Sequence, residues 1–193
     1  MYTKRINYPP RVLIFVKQPQ VSKIRGLCPS NDLYLCPQKS NLLQNFHGAI
    51  QTDGCGVYDY FEQQDNVTLL GCMAHVRRKF TDAQKSCPQL AAQAVKWIEL
   101  LYNLEANLKA QNASYDRIAA ERQSKAIPIM KAMEKWMESV HTQCTQCTPS
   151  DPMSKALDYA YKLWPRLQRY ALDGRYNIDN NPVERNQRPI CTI

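Results

Sequence analysis

A chain of 193 residues is long enough to bury a core, either as one domain or as one domain with an insertion. Hydrophobic residues at 44% and charged residues at 22% are ordinary for a soluble globular protein and exclude a membrane-embedded or low-complexity chain. The net charge of +8 favours a polyanionic partner, nucleic acid first.

The apolar run Val12-Leu13-Ile14-Phe15-Val16 reads as a strand. It is too short for a signal sequence or a membrane span. The eight cysteines are scattered, so the reading is free thiols in a reducing, cytoplasmic setting. Leu33-Tyr34-Leu35-Cys36 reads as a short strand stopped by Pro37, and Ser40 as the cap of a short helix over 41–46. Gly48 to Asp53 reads as a buried strand that ends in an acid, and Asp53-Gly54 is a strong turn signal. Val57 begins a helix, and Val67 to Cys72 is another strand.

From Ala74 the period changes to 3.6. Val76, Phe80 and Ala83 form an apolar stripe, and Arg77, Arg78 and Lys79 form an exposed basic face. Pro88 opens a second helix that continues through Leu108. Ser114 caps a third, carrying Ile118, Met130, Met133 and Met137, with Pro128 as a kink or break. A polar loop spans 142–152. A fourth helix covers 154–172, bent at Pro165 and ended by Gly174 as a C′ glycine. The Trp, Met and Tyr stripes read as core. Cys144-Thr145-Gln146-Cys147 has zinc-knuckle spacing, but a tetrahedral site needs a second ligand pair and only His141 is close. It reads as a loop, and no zinc is expected.

Two acids stand out. Asp53 ends a strand, where α/β domains place chemistry. Glu184 follows Asp179-Asn180-Asn181-Pro182, a set of N-cap residues with proline at the first helical position. One reading is a capped surface helix with a Glu184–Arg188 ion pair. The other is a metal-binding carboxylate beside arginines that contact DNA. Hard cations such as Mg²⁺ take oxygen ligands, and phosphoryl transfer on two metals needs several carboxylates. His75 with Arg77, Arg78 and Lys79 either neutralises phosphates or forms a solvated basic face.

Three stretches occur in order: Gln51-Thr52-Asp53-Gly54, Gly71-Cys72-Met73-Ala74-His75-Val76-Arg77-Arg78-Lys79-Phe80, and Asp179-Asn180-Asn181-Pro182-Val183-Glu184-Arg185 with Arg188-Pro189. They closely resemble the catalytic domain of bacterial transposases of the insertion sequence 66 family, and the resemblance covers roughly residues 22–190.

The resemblance implies an α/β, ribonuclease-H-like (DDE integrase/transposase) core with a large all-helical insertion. On that reading 22–73 and 174–193 are core, 74–173 are the insertion, and 1–21 are atypical. It implies metal-dependent cutting and joining of double-stranded DNA at transposon ends, with Mg²⁺ or Mn²⁺ as cofactor. Asp53 and Glu184 fall on the second and third catalytic, metal-binding acids. His75, Arg77, Arg78, Lys79, Arg185 and Arg188 are assigned to DNA. Partners are DNA and either a second copy or an intact transposase, with no membrane.

The chain departs from the family pattern. The first catalytic aspartate lies on the first strand in the family, whereas no acid precedes Asp32 here. Cys55 replaces the usual tyrosine. The expectation is a truncated copy, incomplete at both ends and without activity, or a DNA-binding or interaction fragment that modulates an intact transposase.

Overall fold

The computed structural model describes residues 11–14, 47–143 and 151–181. The expected strand at 33–36, the helix at 41–46 and the cysteine pair Cys144 and Cys147 lie outside the described residues.

Three parallel strands form a small sheet in the order β1 (Arg11–Ile14), β2 (Gly48–Gln51), β3 (Val67–Leu70). Ile14 pairs with Gln51, and Gln51 with Leu70, so the three strands end level. β1 falls inside the segment expected to be atypical. Between β2 and β3 the chain forms a 3-10 helix, Gly56–Gln63, where an ordinary helix was expected. Ile50, Tyr58, Phe61, Val67 and Leu69 bury a small core between this helix and the two strands.

The rest is helical: α1 (Met73–Ala83), α2 (Pro88–Ala110), α3 (Tyr115–Glu121), α4 (Ile127–Gln143) and α5 (Pro152–Gln168). α1 packs most extensively on α5 and α2. Val76, Phe80 and Ala83 are buried as their spacing predicts, and Arg77, Arg78 and Lys79 face outward. Met130, Met133, Met137 and Trp164 lie in the larger core with Leu101, Leu157 and Leu163. The aromatic and methionine stripes are core.

Several boundaries differ from expectation. The Ser114 cap of α3 does form as expected, accepting from Arg117 N at 3.3 Å. The break ahead of Pro128 is a five-residue π-helical segment, Arg122–Ala126. Proline has no N–H and its ring crowds the carbonyl four residues back, so a widened turn there relieves both problems. α5 begins two residues early because Asp151 is the cap, accepting from Met153 N at 2.7 Å. Pro165 lies within α5 without ending it. Gly174 is required by close packing: a Cβ there would come within 2.0 Å of the Tyr115 carbonyl oxygen. It is not among the residues with positive φ, so it is not a left-handed cap.

Two polar clamps tie the helices down. Arg122 is buried in the π segment and makes a fork onto Glu105 of α2 at 2.8 and 2.7 Å. Its remaining amine donates to the carbonyls of Tyr170 and Asp173 at 3.0 and 2.9 Å. Arg166 of α5 reaches Asp59 and Glu62 of the 3-10 helix, each at 2.8 Å, and Arg169 also pairs with Glu62. Burial alone would raise the Glu62 carboxyl, but the Arg169 hydrogen bond and the charges of both arginines hold it below its usual range.

Arg122→Ala should cost about 3 kcal/mol, because it leaves Glu105 and two carbonyls without their donor. Urea unfolding checks this. The lowered Glu62 carboxyl stabilises the fold above its ordinary pKa of 4.5, and this contribution is lost as pH falls through the depressed folded value. Glu62→Gln should therefore flatten the acid limb of a stability-versus-pH curve and remove the contribution at neutral pH.

Candidate active site

The level ends of β2 and β3 leave from one sheet edge. Beyond β2 the ladder continues for one bond, from Thr52 N to the Leu70 carbonyl at 3.0 Å. The chain then turns. Gly54 N donates to Thr52 Oγ1 at 3.2 Å, and Cys55 N donates to Asp53 Oδ1 at 3.1 Å. Gly54 sits at φ +83°, a conformation that a side chain would strain. Asp53 is therefore a half-buried carboxylate on a tight turn, with Oδ2 free of hydrogen bonds among the described residues. The hydroxyl of Tyr159 donates to its backbone carbonyl.

Gln51 precedes this turn and is fully buried. Its side-chain amide donates to the carbonyl of Gly71, at the exit of β3, at 3.0 Å. The same nitrogen donates to the carbonyl of Asn177 at 2.9 Å. The segment 177–181 is thereby drawn against both strand exits. Met73 N donates to the Ile178 carbonyl at 3.1 Å, and the Cys72 thiol donates to Asn180 Oδ1 at 2.9 Å. Burial pushes the Cys72 thiol up to about 11, so it stays protonated as a donor.

Asp179 is buried, and its carboxylate folds onto Asn181, the last described residue. Its Oδ1 accepts from Asn181 N at 3.0 Å, and its Oδ2 from Asn181 Nδ2 at 2.9 Å. Tyr102 of α2 donates its hydroxyl to Oδ2 at 2.6 Å. Burial, then the hydrogen bond and charge of Asp179, raise the Tyr102 phenol far above its usual value. Tyr159 is raised by burial first, then by the charges of Asp53 and Cys72. Both phenols are donors at neutral pH.

The basic face of α1 borders this edge. A cleft of about 440 Å³ is lined by Arg77, Arg78, Thr81, Glu99, Tyr102 and Asn181. Arg77 lies 3.6 Å from Glu99, with both side chains about half exposed, so the pair is weak. The Lys79 ammonium lies 5.6 Å from the centre of the Tyr159 ring. His75 is half-buried on the first turn of α1, and its N–H donates to the Cys72 carbonyl at 3.2 Å. Glu184, Arg185 and Arg188 lie outside the described residues.

The fold thus brings together the Asp53 turn, the Cys72 exit, the α1 basic face and the Asp179-Asn180-Asn181 cap. Among the described residues no group of three or more His, Cys, Asp or Glu is arranged to hold a metal. Asp53 fits as one ligand of a hard cation, since its free oxygen is the donor type Mg²⁺ takes and such sites commonly use one or two carboxylates.

The family model described as Transposase IS66 family matches residues 37–193. The chain belongs to this family. Curated relatives include three proteins of Sinorhizobium fredii, each called an uncharacterized protein. y4jD is 28% identical over 157 residues, which is 77% of this chain and 30% of y4jD. y4qI is 29% identical over 155 residues, 76% of this chain and 28% of its own length. y4hP is 28% identical over 175 residues, 80% of this chain and 30% of its own length. The chain therefore spans under a third of the length of these relatives. No solved structure matches it significantly. Among the described residues no helix is long and apolar enough to cross a membrane.

Three roles in this IS66 family member escape sequence reasoning, those of Gln51, Tyr102 and Tyr159. Gln51 carried a usable signal, a long amide at the end of a strand read as buried. The tyrosines did not, because their helical spacing matches plain core packing. Gln51→Leu should destabilise the fold by about 2 kcal/mol, the cost of leaving buried carbonyls unpaired, in chemical denaturation. A variant within about 0.5 kcal/mol of the parent would show that the amide clamp is dispensable.

Proposed function

We propose that this chain carries a catalytic domain of a bacterial transposase that cuts and joins DNA at transposon ends by metal-dependent phosphoryl transfer. On this reading the three parallel strands are part of a ribonuclease-H-like core, and the helices of residues 74–173 are inserted in it. One geometric fact carries the proposal. The Asp53 turn and the Asp179-Asn180-Asn181 cap leave the same sheet edge, tied through Gln51. Glu184 follows that cap by three residues in the chain.

In the proposed chemistry Asp53 and Glu184 would hold Mg²⁺ or Mn²⁺. Such a cation, when bound, promotes attack by one oxygen and stabilises departure of the other. The Cys55 N–H fixes one Asp53 oxygen and leaves the second for the ligand. Arg77, Arg78 and Lys79 face solvent beside the cleft and neutralise backbone phosphates. His75, Arg185 and Arg188 are likewise assigned to DNA. Water attacks first and a DNA 3′-hydroxyl second, each displacing an oxygen at a phosphodiester.

One observation favours a second reading for this copy, DNA binding without efficient chemistry. β1 lies beside β2 at the same sheet edge, and its residues Arg11-Val12-Leu13-Ile14 include no acid. Two of three metal-binding acids are then present, and catalysis is weak or absent. Such a chain would bind transposon DNA and modulate an intact transposase.

A mobility-shift titration on transposon-end DNA and a strand-transfer assay with Mn²⁺ test both readings. The three α1 cations by themselves predict an affinity loss of at least about 40-fold between about 50 and 200 mM salt. Arg78→Ala should lower the salt slope by about one. No retention at about 50 mM salt would reject DNA binding. Strand transfer that Asp53→Asn and Glu184→Gln both abolish would show that two acids suffice.

A further inference from the structure

Three side chains of α5 at four-residue spacing meet the two strand exits. Tyr159 gives its hydroxyl hydrogen to the Asp53 carbonyl. Leu163 covers Gly54, where a Cβ would stand 2.7 Å from its methyl carbons. Leu167 covers Gly71, where a Cβ would stand 2.9 Å from its nearest methyl. Residues four apart stack on one helix face, so α5 lays a single ridge across both exits. The two glycines are therefore the places where the leucines of that ridge meet backbone, and Asp53 is where the tyrosine does.

Within the ridge Tyr159 differs in kind from the leucines. Its ring lies beneath the Lys79 ammonium, at 5.6 Å. Its hydroxyl reaches the backbone of the one acid at the exit of β2. Asp53 is then held at two points: its carbonyl by Tyr159, and its Oδ1 by the Cys55 N–H. Its Oδ2 is left over. A tyrosine that only filled space would need the ring but not the hydroxyl.

We infer that Tyr159 is a positioning residue for Asp53, orienting its free carboxylate oxygen toward a divalent cation. The inference rests on the reading of Asp53 as a metal-binding acid given above. Tyr159→Phe separates the two roles, because it keeps the ring under Lys79 and removes only the donor.

The experiment uses the full chain. Hydrogen exchange is followed at the Cys55 amide, with α2 amides as reference, and Mn²⁺ binding is measured by its electron paramagnetic resonance signal. Tyr159→Phe should speed exchange at Cys55 and weaken Mn²⁺ binding, each about fivefold, the scale of one neutral hydrogen bond. The α2 amides should be unchanged, and Asp53→Asn should abolish Mn²⁺ binding, leaving the full signal of the free ion. Leu163→Ala loosens the ridge but keeps both Asp53 bonds, so it should leave Mn²⁺ affinity near that of the parent. Unchanged exchange at Cys55 in Tyr159→Phe overturns the inference whatever the metal does. Equal Mn²⁺ weakening in Tyr159→Phe and Leu163→Ala also overturns it. Unaltered Mn²⁺ affinity in Tyr159→Phe, with binding lost in Asp53→Asn, overturns positioning and leaves the metal role of Asp53 standing. Parent protein whose Mn²⁺ binding does not depend on Asp53 overturns the metal reading itself.

Discussion

The arrangement depends on one buried amide. Gln51 has its Nε2 between the carbonyls of Gly71 and Asn177, residues 20 and 126 positions away in the chain. No water competes for this donor, because Gln51 is fully buried. In that low dielectric the two hydrogen bonds are strong, and losing them strands polar groups with nothing to replace them. A lysine or glutamate could not substitute, since burying a charge without a partner costs more than the amide returns. The clamp makes the exit of β3 and the segment at Asn177 neighbours of the Asp53 turn.

The helices complete what the amide begins. The sheet is too small to hold its own exits, since three four-residue strands bury little surface. α5 supplies the missing wall with Tyr159, Leu163 and Leu167, and α2 supplies Tyr102 to the Asp179 cap. Arg122 and Arg166 keep those helices from shifting by pinning them to distant backbone and to the 3-10 helix. Local order at the candidate site is thus inherited from side chains on elements that follow it by tens of residues. The basic face of α1 shares the same edge, so its exposed cations and the carboxylate turn lie close together.

Membership in the IS66 transposase family accords with this layout. The family stretch Gln51-Thr52-Asp53-Gly54 has a physical content at each position. Gln51 clamps, Thr52 accepts from the turn, Asp53 carries the carboxylate, and Gly54 takes the positive φ beneath Leu163. The Gly71-Cys72 stretch does the same at the second exit, with the Cys72 thiol held protonated against Asn180. Cys55 packs half-buried against the small core.

Much of the secondary structure was legible in the residues themselves, because it answers to local rules. Apolar spacing alone marks α1 and α2, and a serine at the right place caps α3. Asp53-Gly54 announces its own turn, and the outward basic run of Arg77, Arg78 and Lys79 follows from the burial of Val76 and Phe80. The family, too, was legible, since three short stretches in order carry it. The tertiary structure alone decided what those stretches touch. Spacing could not reveal that Gln51 spans two distant carbonyls, or that Gly174 is glycine because Tyr115 backbone leaves no room. Nor could it separate Tyr102 and Tyr159 from the core tyrosines beside them. Helix and turn signals depend on neighbours within about four residues, whereas a buried hydrogen bond depends on which distant backbone folding brings within about 3 Å.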